Sequence, residues 1–438
     1  MDFRRRPQLL AHKNVYLNFA KPSLKVKILP SIIAAYYFLI FTVGRIQELK
    51  QFIIWFGWLV IFLLILTEKA YRIRDISRES YFMLIFIVWS LFGAIIVVDW
   101  LLYFTFLKMV IEYLIFIICI SLVIKKSIDI KVIWYAFIVT ALYNLVMVFL
   151  SPSESGYFSS IHELSKMDRS MGIMGNPNTL AYLYFMGIIG VLELLGEKLS
   201  FWLKIMLVFL GCVIIIGSLF TASRGGFLII LISLPIWFFM CFGSLIQGKT
   251  RKIISIISVL VIIGSRYGSY GWVLDNTKLG MRTQRGLQGS DTSSQTRNDL
   301  NNIALNIAIH NPINGVGLGQ FAIVSGTGLY AHNEWAELIS TTGVIGFLLY
   351  MAVYWAAWLR LVNASKKTKN KILLYRINFA RTLLITIVIS GAIFRINFID
   401  VSAMFLLSIV VGVSLWAQNQ IYKEKILYSS NKSFKMIR

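Results

Sequence analysis

Leu101-Leu-Tyr-Phe-Thr-Phe-Leu-Lys108-Met-Val-Ile-Glu112-Tyr-Leu-Ile-Phe-Ile-Ile-Cys119-Ile-Ser-Leu-Val-Ile124 is a run of 24 residues that carries two charges. Roughly 20 consecutive apolar residues in an α-helix cross the hydrocarbon of a bilayer. Lipid offers no partner to an unpaired backbone amide, so such a run must be helical if it spans. Comparable runs occur at 28–44, 52–66, 81–98, 132–150, 179–195, 201–220, 226–246, 253–264, 334–358, 378–394 and 398–417. With the first run they make about 12 spans. The composition agrees: the 438 residues are 58% hydrophobic and 14% charged, where soluble domains carry roughly 25% charge. A soluble globular enzyme is excluded.

The expected fold is therefore an all-α integral membrane protein, a bundle of about 12 transmembrane helices with a long, partly helical extracytoplasmic loop between spans 9 and 10. The chain divides into a basic tail (1–27), spans 1–9 (28–264), the loop (265–333), spans 10–12 (334–417) and a second tail (418–438). The first run follows a polar, basic stretch without a small-residue cleavage site, so it reads as a retained span.

Charge sets the direction. The net charge is +23, which in a soluble protein would point to nucleic acid. With the N-terminus in the cytoplasm, the inner segments hold 29 Lys and Arg and the outer ones 11. Cytoplasmic loops carry such an excess. The basic residues are thus mostly a topology signal, both termini are expected inside, and no nucleic-acid partner is expected. Cys119, Cys212 and Cys241 all lie in apolar runs, so a disulfide framework is not expected.

Chemistry must then sit in the polar segments between spans. There is no HExxH, CxxC, DxD or glycine-rich phosphate loop, and the outer acids are scattered. No metal or nucleotide cofactor is expected. Four stretches stand out. The first is Gly315-Val-Gly-Leu-Gly-Gln-Phe321, followed by Ala331-His332-Asn333-Glu334-Trp335-Ala336-Glu337-Leu338 and Gly343. His332 stands at the outer start of span 10, where a helix dipole disfavours imidazolium. Glu334 and Glu337 act in the opposite sense. His332 is either a general base or an interfacial histidine without a task.

The second is Thr221-Ala-Ser-Arg224-Gly225-Gly226, whose paired glycines permit close helix approach. Arg224 either snorkels to the interface or binds phosphate with its planar donor fork. The third, Ser294 to Pro312, reads as an amphipathic helix outside the membrane. Arg297, Leu300, Ala304 and Ile307 share one stripe at helical spacing, and an arginine on a buried face needs an anionic partner. His310 reads as a helix-end histidine. The fourth, Gly175-Asn176-Pro177-Asn178, marks a tight turn in which Asn178 could cap the next helix. Lys108 and Glu112, four apart at membrane depth, either serve a function or pair on one helix face.

These motifs resemble the O-antigen ligase and O-antigen polymerase superfamily of bacterial polytopic glycan enzymes. The carrying residues are Gly175-Asn176-Pro177-Asn178, Ser223-Arg224-Gly225-Gly226, Arg297 followed by Pro312-Ile313-Asn314-Gly315-Val316-Gly317, and His332-Asn333 with Gly343 eleven residues on. Many ligases place leucine four residues after the histidine; this chain has Ala336. The resemblance implies a glycosyltransferase of the bacterial inner membrane that works without metal at the extracytoplasmic face. It implies an undecaprenyl-diphosphate-linked glycan donor, a glycan or lipid-linked acceptor, inversion at the sugar, and either polymerase or ligase action. His332 would take the acceptor proton, and Arg224 and Arg297 would hold the diphosphate. Asn333, Glu334, Arg282, Arg285 and Lys108 are possible supporting residues. The competing class is a transporter or flippase that uses Lys108, Glu112 and the arginines.

Overall fold

The structure is a computed structural model, which describes residues 24–43, 47–67, 76–126, 130–150, 174, 176–242, 279–280, 283–284, 292–393 and 400–435. Its helices are α1 (Leu24–Thr42), α2 (Gln47–Thr67), α3 (Arg78–Phe92), α4 (Trp100–Lys126), α5 (Lys131–Leu150), α6 (Pro177–Leu195), α7 (Phe201–Phe220), α8 (Arg224–Trp237), α9 (Thr292–His310), α10 (Phe321–Val324), α11 (Glu334–Lys367), α12 (Lys371–Ile393) and α13 (Val401–Lys435). A 3₁₀ turn, Gly93–Ile96, extends α3, and a π turn, Phe238–Phe242, extends α8 just after Pro235. No strand occurs among the described residues. Nine of the described helices are long and apolar enough to cross a membrane, and Ile28–Thr42 and Phe52–Thr67 are shorter apolar helices. Eleven of the sequence-predicted spans thus have a helix at their place; the ninth, 253–264, lies outside the described residues.

Polar residues at the membrane boundary start these helices. Ser77, Asn176, Ser200, Ser223 and Asn333 each accept a backbone N–H of the first turn through the side chain. Asp99, Asn370 and Asp400 do the same for α4, α12 and α13. Each such cap is worth about 1 kcal/mol.

The bundle packs around α6 and the part of α13 at 401–417, in which almost every residue is buried. Phe405 of α13 meets Phe116 of α4 at 4.9 Å between ring centroids and Tyr37 of α1 at 5.0 Å. Gly412 lets α13 lie against α4, since a Cβ there would stand 2.7 Å from that of Ile124.

Contacts at one end fix the sense of every helix near the site. Tyr375 of α12 donates to the Leu192 carbonyl of α6 and accepts from Trp237 Nε1 of α8 at 3.2 Å. Arg376 pairs with Glu193 and Glu197, and Lys131 reaches Glu197 at 3.2 Å. The C-termini of α6 and α8 therefore meet the N-terminus of α12. The short turn 368–370 brings the C-terminus of α11 to the same end. The N-termini of α6 and α8, with Asn176 and Arg224, and the Gly343 break of α11 consequently lie towards the opposite end, and the arm 334–342 runs back from that break towards Tyr350 and Tyr354.

Candidate active site

The expected amphipathic helix forms, as α9. Leu300 and Ala304 are buried against Phe321, Ala331 and Ala336, with Ile303 and Ile307 at the border. This packing lays α9 directly over the chain that carries His332. Arg297, one turn before Leu300, is half-buried on the same side.

The next segment, 312–317, explains why its motif accompanies Gly343. At Gly343 the backbone of α11 leaves the helical region, at φ 68° and ψ −177°, and α11 becomes two helical arms that fold back on one another, with Trp335 against Phe347 and Tyr354. The break frees carbonyls that lipid cannot satisfy. Val316 N–H donates to Ser340 O at 3.0 Å and Gly317 N–H to Thr341 O at 2.9 Å. Trp89 Nε1 donates to Thr342 O at 2.9 Å. In return Val344 N–H donates to Pro312 O at 2.8 Å. A side chain at Gly343 would collide with the Ile313 carbonyl, and one at Gly315 with Thr341. Nothing in the local sequence signals the partnership of Trp89, which is 253 positions away from Thr342. Buried Gln320 closes the other flank. It accepts the Asp99 N–H at 2.8 Å and donates to the Asp99 carbonyl at 2.9 Å.

His332 sits on this scaffold in the left-handed region, at φ 55°. A bulky residue rarely adopts it, and such positions gather at functional sites. Two neighbours hold it there. Asn333 caps α11 by accepting from Trp335 and Ala336 N–H, so its side chain serves the helix start. Glu337, buried, accepts the Ala331 N–H at 2.7 Å through Oε2. Glu334, which was expected as a possible supporting group beside the histidine, turns inward. It is wholly buried and accepts from Tyr350 Oη at 2.8 Å, with Tyr354 Oη 3.0 Å beyond.

Burial of the His332 ring, reinforced by the positive charge of Arg297, lowers its pKa from 6.5 to about 4. The ring is therefore neutral near pH 7 and able to accept a proton. Tyr330 lies against it, with ring centroids 4.0 Å apart.

Arg224 opens α8 towards the end of the bundle that holds the Gly343 break. Ser223 caps that helix and donates to Asn178 Oδ1 at 2.8 Å. Asn178 is thus a cross-tie and not a cap; Asn176 caps α6, with Pro177 in the first turn. The bond joins two of the four motifs. Gly226 does permit close approach, since a Cβ there would collide with Ala181 of α6. Ala222 has a φ of 46°. The two helix starts that carry Arg224 and His332 are therefore built alike, with a strained left-handed residue beside a capping side chain.

Other expectations fall elsewhere. Lys108 lies 4.0 Å from Glu112 and 5.0 Å from the Trp55 ring centre. It shares the outward stripe of α4 with exposed Leu101, Phe104 and Ile111. It therefore faces away from the bundle interior and has partners of its own. His310 ends α9, its Nδ1 2.8 Å from Asn306 O, as a helix-end histidine would. Asp400 caps α13 by accepting from Ser402 and Ala403 N–H. Arg282 and Arg285 lie outside the described residues.

No curated protein matches the chain. Residues 205–351, the stretch that holds Arg224, Arg297 and His332, are similar to the family whose model is described as O-antigen ligase.

Proposed function

We propose that the protein polymerises undecaprenyl-diphosphate-linked oligosaccharide repeats at the extracytoplasmic face of a bacterial inner membrane. The acceptor hydroxyl attacks the anomeric carbon of the donor sugar from the face opposite the diphosphate, so the linkage inverts. As the new C–O bond forms, the bond from that carbon to the phosphate oxygen breaks. Neutral His332 takes the hydroxyl proton and later passes it to solvent. Negative charge grows on the departing diphosphate. Arg224 and Arg297 meet it with preorganised donors in a partly dry site.

The observation that supports this reading is that Arg297 lies close enough to His332 for its charge to add to burial in lowering the pKa of the ring. The reading also accounts for the strained φ at both helix starts. Transfer of a finished glycan to another acceptor, the ligase reaction, uses the same groups. The family description does not separate the two reactions. A transporter reading drew on Lys108 and Glu112, which pair with one another on the flank of α4.

The test is His332→Ala at equal expression, with surface glycan resolved by length on gels. Polymerase action predicts loss of long chains and accumulation of single repeats on the carrier. Undiminished long chains would remove His332 as the base. Product analysis separates the two activities: elongation on the carrier marks a polymerase, and glycan on a different acceptor marks a ligase.

A further inference from the structure

At the end of the bundle opposite the Gly343 break, a cavity of about 590 Å³ opens between α3, α11 and α13. Its size is that of a small-molecule site, about 300–1,000 Å³. Arg78 of α3, Arg360 and Lys367 of α11, and Lys425 of α13 line it. The one carboxylate beneath them, Glu79, is wholly buried and held by Arg360 at 3.0 Å, with Ser414 Oγ accepting a second guanidinium bond at 3.1 Å. Among the described residues no carboxylate pairs with Arg78, Lys367 or Lys425. The described residues that line the cavity therefore carry a net positive charge. Its other wall is apolar. Trp355 and Leu359, 62% and 43% exposed, stand on the flank that lipid would cover.

Basic residues at the inner end of a membrane protein are ordinary. Here they come from three separate helices, converge on one concavity, and adjoin an apolar strip one turn deeper. We infer that this cavity binds an anionic glycerophospholipid of the leaflet opposite the Gly343 break, its phosphate among Arg78, Lys367 and Lys425 and its chains along Trp355 and Leu359. Basic pockets between membrane helices on the cytoplasmic side suit such headgroups. The ligand is a lipid and not free phosphate, because the apolar strip is continuous with the charged end and would otherwise face only bulk acyl chains. Arg360 acts as the floor of the site, since its charge is already matched by Glu79.

The experiment uses the full-length protein in detergent micelles, with phosphatidylglycerol, phosphatidylcholine and inorganic phosphate as probes and native mass spectrometry counting retained lipid. Phosphatidylglycerol should stay bound and phosphatidylcholine should not. The triple variant Arg78→Gln, Lys367→Gln, Lys425→Gln should lose affinity by roughly 100-fold, about fivefold per cation. A control triple on the same end, Lys198→Gln, Lys204→Gln, Lys369→Gln, should bind like the wild type. In the wild type, which needs no variant to fold, a photoreactive phosphatidylglycerol should crosslink within 352–364 or 418–425. Equal loss in both triples would overturn the site, as would equal retention of phosphatidylcholine. Displacement of the lipid by inorganic phosphate or crosslinks confined to other segments would do the same.

Discussion

Glu337 Oε2 accepts the Ala331 N–H at 2.7 Å, which closes a loop over residues 331–337 around His332. The bond fixes the peptide just ahead of a residue at φ 55°, where the backbone would otherwise relax. Glu337 is thus a positioning residue: it acts on the base through the chain.

Glu337→Gln keeps an acceptor oxygen, and it should retain most activity. Glu337→Ala leaves the buried N–H unmatched, at a cost of about 1–3 kcal/mol. It should lower kcat by about 10–100-fold with little change in KM, since a misplaced base weakens the chemical step alone. Steady-state kinetics of both variants checks this; equal losses in the two would remove the positioning role.

The pH profile follows from the sign of the His332 shift. Its folded pKa is about 4, below the ordinary 6.5. The base form therefore persists as pH falls, and the acid limb of kcat/KM should lie near pH 4 to 5. Diphosphate bound at Arg297 offsets the cation, so the limb of kcat should lie higher. Arg297→Gln should raise the limb of kcat/KM but leave it below 6.5, because burial is the larger cause. A depressed histidine also binds its proton less readily folded than unfolded. Wild-type stability should thus fall from pH 6.5 towards 4, and His332→Asn should flatten that part of the curve in thermal melts.

The break in α11 is the most vulnerable point of the scaffold. Gly343→Ala forces a Cβ into the Ile313 carbonyl at positive φ; the backbone strain alone costs on the order of 1–3 kcal/mol. Trp89→Phe removes the donor to Thr342 O, again about 1–3 kcal/mol. Both should lower the melting temperature of purified protein, and Gly343→Ala should do so more.

Ala336→Leu installs the residue many ligases carry. Ala336 is buried against Leu300 and Ala304, so the larger side chain should overpack the contact by about 1–3 kcal/mol. It should lift α9, move Arg297 from His332 and raise KM for the lipid-linked donor more than it changes the melting temperature.

Much of this architecture was legible in sequence because lipid leaves few choices. Hydropathy placed eleven helices, and the stripe Arg297, Leu300, Ala304, Ile307 gave both α9 and its buried face. Roles that depend on contacts between distant segments were not legible. Asn178 looked like a cap, since a side chain one position after proline suits either task; only the approach of Ser223 shows the cross-tie. Glu334 and Glu337 looked equivalent beside His332. Three residues apart they share one side of the helix, and only the fold-back at Gly343, which brings Tyr350 to Glu334, and the chain ahead of the helix, which brings the Ala331 N–H to Glu337, tell them apart. The left-handed φ of Ala222 and His332 has no sequence signal in either residue type.

The most direct test of the central claim is turnover of a defined undecaprenyl-diphosphate-linked repeat by purified protein, without added nucleotide or metal. The account predicts chain elongation by the wild type, a rate lower by roughly 10²–10⁴ for His332→Ala, and a rate lower by about 10²–10³ for Arg297→Gln. Elongation by His332→Ala at the wild-type rate would contradict it.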